Sequence, residues 1–169
     1  MKLLPLDSPD LIRLVASWMA SRENYEWLDF GNGRQVLSPE WLKIAIQRDT
    51  EVLRAFTGED GGTPVGVVGL TGVDRAFGTA RIWVVVGDKS FRARGHATRA
   101  ASKLLTIGFK DLGLAAINTW IVEGNPSARI ALRLGFKPIG RQRQCHVIDG
   151  KAYDRLWYDL LPSEHEELT

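Results

Sequence analysis

The chain has 169 residues, 44% apolar and 25% charged, with a formal net charge of +2. This is the make-up of an ordinary globular domain with room for a sizeable core, which excludes intrinsic disorder and nucleic-acid binding through bulk charge. Cys145 is the single cysteine, so no internal disulfide can form; no apolar run reaches the ~20 residues of a membrane span, and Met1-Lys2-Leu3-Leu4-Pro5-Leu6-Asp7 is too soon charged for a signal peptide, so a cytoplasmic protein is expected.

Leu3 to Leu6 reads as a short strand. Ser8-Pro9-Asp10 is a helix start, with a hydroxyl N-cap, proline in the first turn and an early acid. Leu11, Leu14, Val15, Trp18 and Met19 form the expected apolar face. Arg22 to Leu37 reads as a polar, aromatic connection with a turn at Gly31-Asn32-Gly33, and Ser38-Pro39-Glu40 opens a second helix carrying Trp41, Leu42, Ala45 and Ile46. Strands are expected at Glu51 to Thr57 and Pro64 to Thr71, joined by a hairpin turn at Glu59-Asp60-Gly61-Gly62.

The apolar, β-branched run Ile82-Trp83-Val84-Val85-Val86 predicts a buried strand that Gly87 and Asp88 break. Phe91-Arg92-Ala93-Arg94-Gly95-His96-Ala97-Thr98 follows, and then Ala97, Ala100, Ala101, Leu104, Leu105 and Phe109 recur at helical spacing. A strand therefore runs through a basic, small-residue turn into a helix. A helix N-terminus presents unpaired N–H groups and the positive end of the dipole, and the small side chains at Gly95 and Ala97 let an anion approach the backbone. From Lys89 to Lys110 the charges are Lys89, Arg92, Arg94, Arg99, Lys103 and Lys110, with no acid between them. A phosphate or pyrophosphate is the natural ligand of such a place, although a glycine turn and a solvated basic helix face would look alike.

Leu114 to Val122 is the next expected strand. Asn125-Pro126 starts a short helix with Ile130 and Leu134 inward and Gly135 as its C-cap. Lys137 to Val147 and Ala152 to Leu160 form a closing hairpin about Asp149-Gly150, and the acidic tail of residues 162–169 is expected to fray. No repeat or metal-ligand spacing is read, so one domain over residues 1–169 is expected: a mixed α/β fold with a mostly antiparallel sheet and about four flanking helices.

The turn is neither Gly-x-x-x-x-Gly-Lys-Ser/Thr nor Gly-x-Gly-x-x-Gly. As Arg92-x-x-Gly95-x-Ala97 between strand and helix, it resembles the coenzyme A pyrophosphate loop of the GNAT superfamily of N-acetyltransferases, Gln/Arg-x-x-Gly-x-Gly/Ala. Asn125 through Gly135-Phe136 is similar to that family's second motif, one residue short, and the closing hairpin resembles the branch related to ribosomal-protein N-terminal acetyltransferases. The element order matches over nearly the whole chain.

The resemblance implies a sheet whose central parallel strands splay apart, with the pantetheine of acetyl-CoA lying in the gap, and acetyl transfer to a primary amine. It implies cofactor contacts at Arg92, Ala93, Arg94, Gly95, His96, Ala97, Thr98, Asn125 and Ser127, and a main-chain N–H of Val84 or Val86 facing the thioester oxygen. Asn125 before a proline is equally an N-cap in its own right. Where several relatives carry a glutamate at the head of the central strand, this chain has Arg81, and its short helix lacks the tyrosine acid of other branches. Glu123 is the candidate base and Tyr153 the candidate acid; Cys145, His146 and Tyr158 are weaker ones, and each has an ordinary packing or surface reading. Arg22 to Leu37 and the closing hairpin are the expected acceptor side; Tyr25, Trp27 and Asp29, with Glu23 and Glu26, suit a cationic amine, a peptide N-terminus or an amino sugar. Two further readings compete. A catalytically silent acyl-CoA-binding module shares every cofactor feature; nucleic-acid binding has only Phe91 and Phe109 interleaved with the charges. A monomer or homodimer without nucleic-acid or membrane partners is expected.

Overall fold

The computed structural model describes residues 1–30 and 38–168. The expected turn at Gly31-Asn32-Gly33 lies outside them. Strand β1 (Leu3–Pro5) leads into α1 (Pro9–Ala20), where Ser8 Oγ accepts the Leu11 N–H at 3.2 Å. The same device opens α3 (Pro39–Ala45), where Ser38 Oγ accepts the Trp41 N–H at 3.2 Å. Between them the connection folds into a one-turn helix, α2 (Arg22–Tyr25), too short to leave a periodic signal in the sequence.

The remaining elements are β2 (Glu51–Thr57), β3 (Pro64–Asp74), β4 (Thr79–Val86), α4 (His96–Thr106), β5 (Ala116–Val122), α5 (Ala128–Arg133), β6 (Lys137–Ile148) and β7 (Lys151–Leu160). The seven strands form one sheet in the order β1-β2-β3-β4-β5-β7-β6. Every neighbouring pair is antiparallel except β4 and β5, which α4 connects, as a parallel pair requires. The mixed, mostly antiparallel α/β sheet is the one expected.

Alternation along the strands divides the core in two. Leu53, Ala55, Val67, Trp83 and Val85 face α1 and α3, with Val15, Met19 and Leu42 against them. Phe56, Val68, Leu70, Ile82, Ile117 and Leu160 face the other way, under Leu104 and Leu105 of α4.

Four expectations are corrected. Leu14 is 38% exposed; the buried stripe of α1 is Ile12, Val15, Ala16 and Met19. β3 continues past Thr71 to Asp74 because its register with β4 shifts there, at Gly72 with a φ of +60°. β5 begins at Ala116 rather than Leu114, whose N–H donates to Gly108 instead. The tail packs along α4: the Leu168 N–H donates to the buried Ser102 Oγ at 2.8 Å, His165 Nε2 lies 2.8 Å from Thr106 Oγ1, and Glu164 pairs with Lys137.

Candidate active site

β4 and β5 pair only through Thr79–Ala116, Ala80–Ile117 and Arg81–Asn118, and beyond this the strands part. Thr119 Oγ1 donates to the Ile82 carbonyl at 2.9 Å at the mouth of the gap. On its other side β4 stays bonded to β3, where the Gly87 N–H reaches the Val65 carbonyl at 2.9 Å. In an antiparallel ladder every second residue turns its main-chain groups to the neighbour, so Trp83, Val85 and Gly87 serve β3 while Ile82, Val84 and Val86 turn theirs to the gap. The two valines singled out in the sequence thus have main-chain groups on the gap side. The Val86 carbonyl is already used, accepting from Lys89 Nζ at 2.9 Å.

The gap leads directly into the basic loop. Asp88 caps a tight turn at Lys89–Phe91, with its carboxylate accepting the Ser90 N–H at 3.0 Å. Ala93 at φ +60° and Gly95 at φ +80° are both left-handed, and Gly95 forms the N-cap of α4. A non-glycine residue in that region is strained, which marks Ala93 as held there by its surroundings. The Arg99 N–H is the first to find an intrahelical acceptor, the Gly95 carbonyl at 3.0 Å, and among the described residues no side chain caps the N–H groups of His96, Ala97 and Thr98 before it. A Cβ on Gly95 would meet no atom within 4 Å. Main-chain donors, the positive helix end, exposed Arg92 and Arg94, and open space above Gly95 fit a pyrophosphate.

The loop is braced from both sides. Glu23 of α2 holds Arg92 at 3.2 Å and lies 3.9 Å from Lys89, whose ammonium also bonds Asn24. Glu59 holds Arg99, whose Nη2 lies 3.1 Å from Nδ1 of the buried His96. Burial, aided by Arg99, pushes the His96 pKa below its ordinary 6.5, and burial does the same for His165. As pH falls below about 6.5 the unfolded chain takes up these protons before the native one, so stability is full above that value and declines beneath it. Urea midpoints measured from neutral to mildly acidic pH are expected to fall, and His96→Gln or His165→Gln to shallow the decline. Parallel curves for wild type and both variants would contradict this.

In the second motif the capping role is the one with a bond in place, and it is compatible with a cofactor contact. The Asn125 side-chain carbonyl accepts the Ser127 N–H at 2.9 Å, so Asn125 acts as a local cap at the start of α5 and Ser127 is the N-cap residue itself. Glu123, at the end of β5, is bonded to Arg141 at 3.0 Å, and Arg141 is shared with Asp154 at 2.7 Å. Tyr153 is half-buried on β7 opposite His146, with the Lys151 ammonium 5.1 Å over its ring. Tyr158 is buried in the core beneath α4 and α5, as its ordinary reading held. Cys145 Sγ lies 3.2 Å from the Gln142 carbonyl.

On the sheet face covered by α1 and α3, four strands bring together residues the sequence does not connect. Arg81 of β4 grips Asp29 bidentately at 3.1 and 3.2 Å. Arg155 of β7 lies 3.8 Å from Asp29 and stacks 3.8 Å above Trp120 of β5. Arg155 also donates to Nδ1 of His146 on β6, at 3.0 Å from Nη2, while His146 Nε2 lies 2.6 Å from the Glu26 carbonyl. Those partners require the proton on Nε2. Asp29, Trp27, Phe30, Arg81, Trp83 and Trp120 wall a cavity of about 30 Å³ beside the point where the strands part. Tyr25, at the end of α2, is not among its walls. The expected acids are all engaged: Glu23 by Lys89 and Arg92, Glu26 by Arg22, and Asp29 by two arginines. Among the described residues no cluster of His, Cys, Asp or Glu is placed to hold a metal, and no helix is long and apolar enough to cross a membrane.

A sheet that parts behind a central strand, with that strand running through a basic turn into a helix without a side-chain cap, is the arrangement expected of an acyl-CoA transferase fold. The sequence family described as an acetyltransferase (GNAT) domain matches residues 1–137, and the chain belongs to that family, as an acyltransferase. It is 28% identical over 172 residues to the Bacillus subtilis protein named "Putative ribosomal N-acetyltransferase YdaF", covering 96% of this chain and 90% of that one. It is 27% identical over 128 residues to the B. subtilis SPbeta prophage-derived uncharacterized N-acetyltransferase YokL, covering 75% and 71%. The solved spermidine N-acetyltransferase from Vibrio cholerae, in complex with CoA and spermine, shares the fold with a TM-score of 0.82 at 19% identity over 96% of each chain.

Proposed function

We propose that this protein transfers the acetyl group of acetyl-CoA directly to a primary amine, in the cytoplasm and as one domain. The observation that carries the reading is the parting of β4 from β5 immediately upstream of the uncapped N-terminus of α4. When bound, acetyl-CoA supplies a thioester whose acyl carbon is open to attack by an amine. The N–H groups at His96, Ala97 and Thr98, with Arg92 and Arg94, would hold its phosphates, and Ala93 and Gly95 shape the loop around them. Val84 N–H, or Val86 N–H one step further, would donate to the acyl oxygen as it gains charge. Asn125 and Ser127, between the end of β5 and the start of α5, would position the arm.

The amine must arrive neutral. An α-amine with a pKa of about 8 is partly neutral near pH 7 and needs little help, whereas a lysine-type amine at about 10.4 needs more. Arg81 cannot supply a base, and Glu123 is already held by Arg141. We therefore assign catalysis chiefly to positioning and exclusion of water, with Glu123 assisting through solvent and Tyr153 as donor toward the departing thiolate.

Glu123→Gln is expected to lower kcat by about tenfold or less, against the roughly 10²–10⁴ of an essential base. A loss near a thousandfold, with the acidic limb of the pH–rate profile removed, would make Glu123 the base. The function itself is tested by following CoA thiol release from acetyl-CoA across a panel of primary amines, with the acetylated product identified by mass. Stoichiometric N-acetyl product is the expected result; CoA release without acetylated amine would contradict it.

A further inference from the structure

Resting on that reading, we infer that the acceptor is a small amine that also carries a carboxylate, which Arg155 and Arg81 recognise over Trp120.

The charges around the cavity are unevenly shared. Arg81 and Arg155 both face the carboxylate of Asp29, and Arg81 has in addition the half-buried Glu51 of β2 within its field. Arg81 takes it bidentately, while Arg155 stands off at 3.8 Å, beyond hydrogen-bonding distance, and spends Nε and Nη2 on the neutral nitrogen of His146. The Arg155 side chain is only 16% exposed. A guanidinium so far out of water is stabilised by a close anion, and this one lacks its own among the described residues.

Two of the wall residues carry buried donors. The indole N–H groups of Trp83 and Trp120, residues 9% and 8% exposed, have no partner among the described residues. Buried donors without acceptors are uncommon in native proteins and point to a ligand oxygen or water. The cavity that these two tryptophans wall with Asp29 and Arg81 exceeds the ~10–15 Å³ that one water needs; Arg155 is not one of its walls but stacks on Trp120, which is. Arginine forks match a carboxylate in geometry as well as charge.

The location suits an acceptor. Arg81 and Asn118 form the last rung before β4 and β5 part, and Ile82, whose carbonyl marks the mouth of the gap, is also a wall of the cavity. A carboxylate held on this face leaves an amine a few bonds away beside the gap. A polycation finds the opposite field, because Glu23, Glu26 and Asp29 are each neutralised from within the protein.

The experiment compares kcat/KM for free α-amino acids, for their carboxamides, and for aspartate α-amide, in which only the side-chain carboxylate remains, with spermidine as the cationic reference. Free acids are expected to exceed their carboxamides by about tenfold or more, mainly through KM; aspartate α-amide decides whether the α- or the side-chain carboxylate is read. In Arg155→Gln the ratio of acid to carboxamide is expected to collapse toward unity, with Arg155→Lys intermediate. Thermal stabilisation by acetyl-CoA, measured on each variant, shows that it is folded. Carboxamides or spermidine used as well as the acids, or a preference that survives both Arg155→Gln and Arg81→Gln, would overturn the inference. So would failure to acetylate any of these amines by a protein that acetyl-CoA still stabilises. Absence of that stabilisation in the wild type would overturn the acetyl-transfer reading beneath it.

Discussion

Gly95→Glu is expected to remove acetyl-CoA binding while leaving the protein folded. The Cβ of residue 95 points into space where, its own chain neighbours aside, no atom of the described residues lies within 4 Å, at the start of α4 that no side chain among them caps. A glutamate there would set its own carboxylate against the helix end and compete for the donors that would hold the phosphates. The φ of +80° adds a folding cost of about 1–2 kcal/mol for any side chain. Gly95→Asn separates the two effects, since asparagine tolerates the left-handed region and brings no charge. Circular dichroism beside an acetyl-CoA titration is the check. Gly95→Glu should keep its spectrum and lose binding by more than about a hundredfold, roughly 2.7 kcal/mol, with Gly95→Asn weakened far less. Unchanged affinity in Gly95→Glu would reduce the loop to a structural turn.

Gly66→Ala is expected to be among the most destabilising single-methyl additions in the chain. Gly66 stands opposite Val86 in the ladder, and a Cβ there would overlap the Val85 carbonyl oxygen and the Phe56 ring. A main-chain carbonyl inside a sheet cannot step aside without moving β4, the strand whose Val84 and Val86 border the gap. Overpacking of this kind costs about 3 kcal/mol, which lowers Tm by roughly 6–12 °C for a domain of this size. Gly62→Ala is the control, because a Cβ there meets nothing within 4 Å; it should stay within about 0.5 kcal/mol of wild type. Equal melting temperatures for Gly66→Ala and Gly62→Ala would show that β3 and β4 have slack the packing does not reveal.

Features legible in the sequence were those whose signal is local. Ser8-Pro9 and Ser38-Pro39 announce their helices through a hydroxyl and a proline within one turn, and both hydroxyls make the expected bonds. The frame of the basic loop was legible because Gly87-Asp88 breaks an apolar strand and helical spacing resumes at Ala97, and the structure has β4 end at Val86 and α4 begin at His96. The acceptor face was hidden because its contacts are remote along the chain: Asp29 reaches Arg81 across 52 positions, and His146 reaches Glu26 across 120. Three acids among aromatics suit a cationic amine, a peptide N-terminus or an amino sugar alike, and the sequence does not say that Glu23, Glu26 and Asp29 each find an arginine or lysine in the fold. The docked tail was missed for the same reason, since polarity at residues 162–168 predicts solvent exposure, whereas Leu168 and His165 find Ser102 and Thr106 on α4. Leu14 failed by angle: both Leu11 and Val15 support a helix, and the period alone does not say on which side of the stripe an intermediate residue falls.

The central claim is that the α4 loop recognises the phosphates of acetyl-CoA while the gap takes the arm. Its most direct test is thermal unfolding with equal concentrations of acetyl-CoA and S-acetyl-pantetheine, which shares the thioester and arm but lacks the phosphates. At about a hundred times the dissociation constant, binding to the native state adds roughly 2.7 kcal/mol, a Tm rise of about 5–10 °C for a protein of this size. Acetyl-CoA should produce that shift, and S-acetyl-pantetheine little of it. Equal shifts from the two compounds, or no shift from acetyl-CoA at millimolar concentration, would contradict the account.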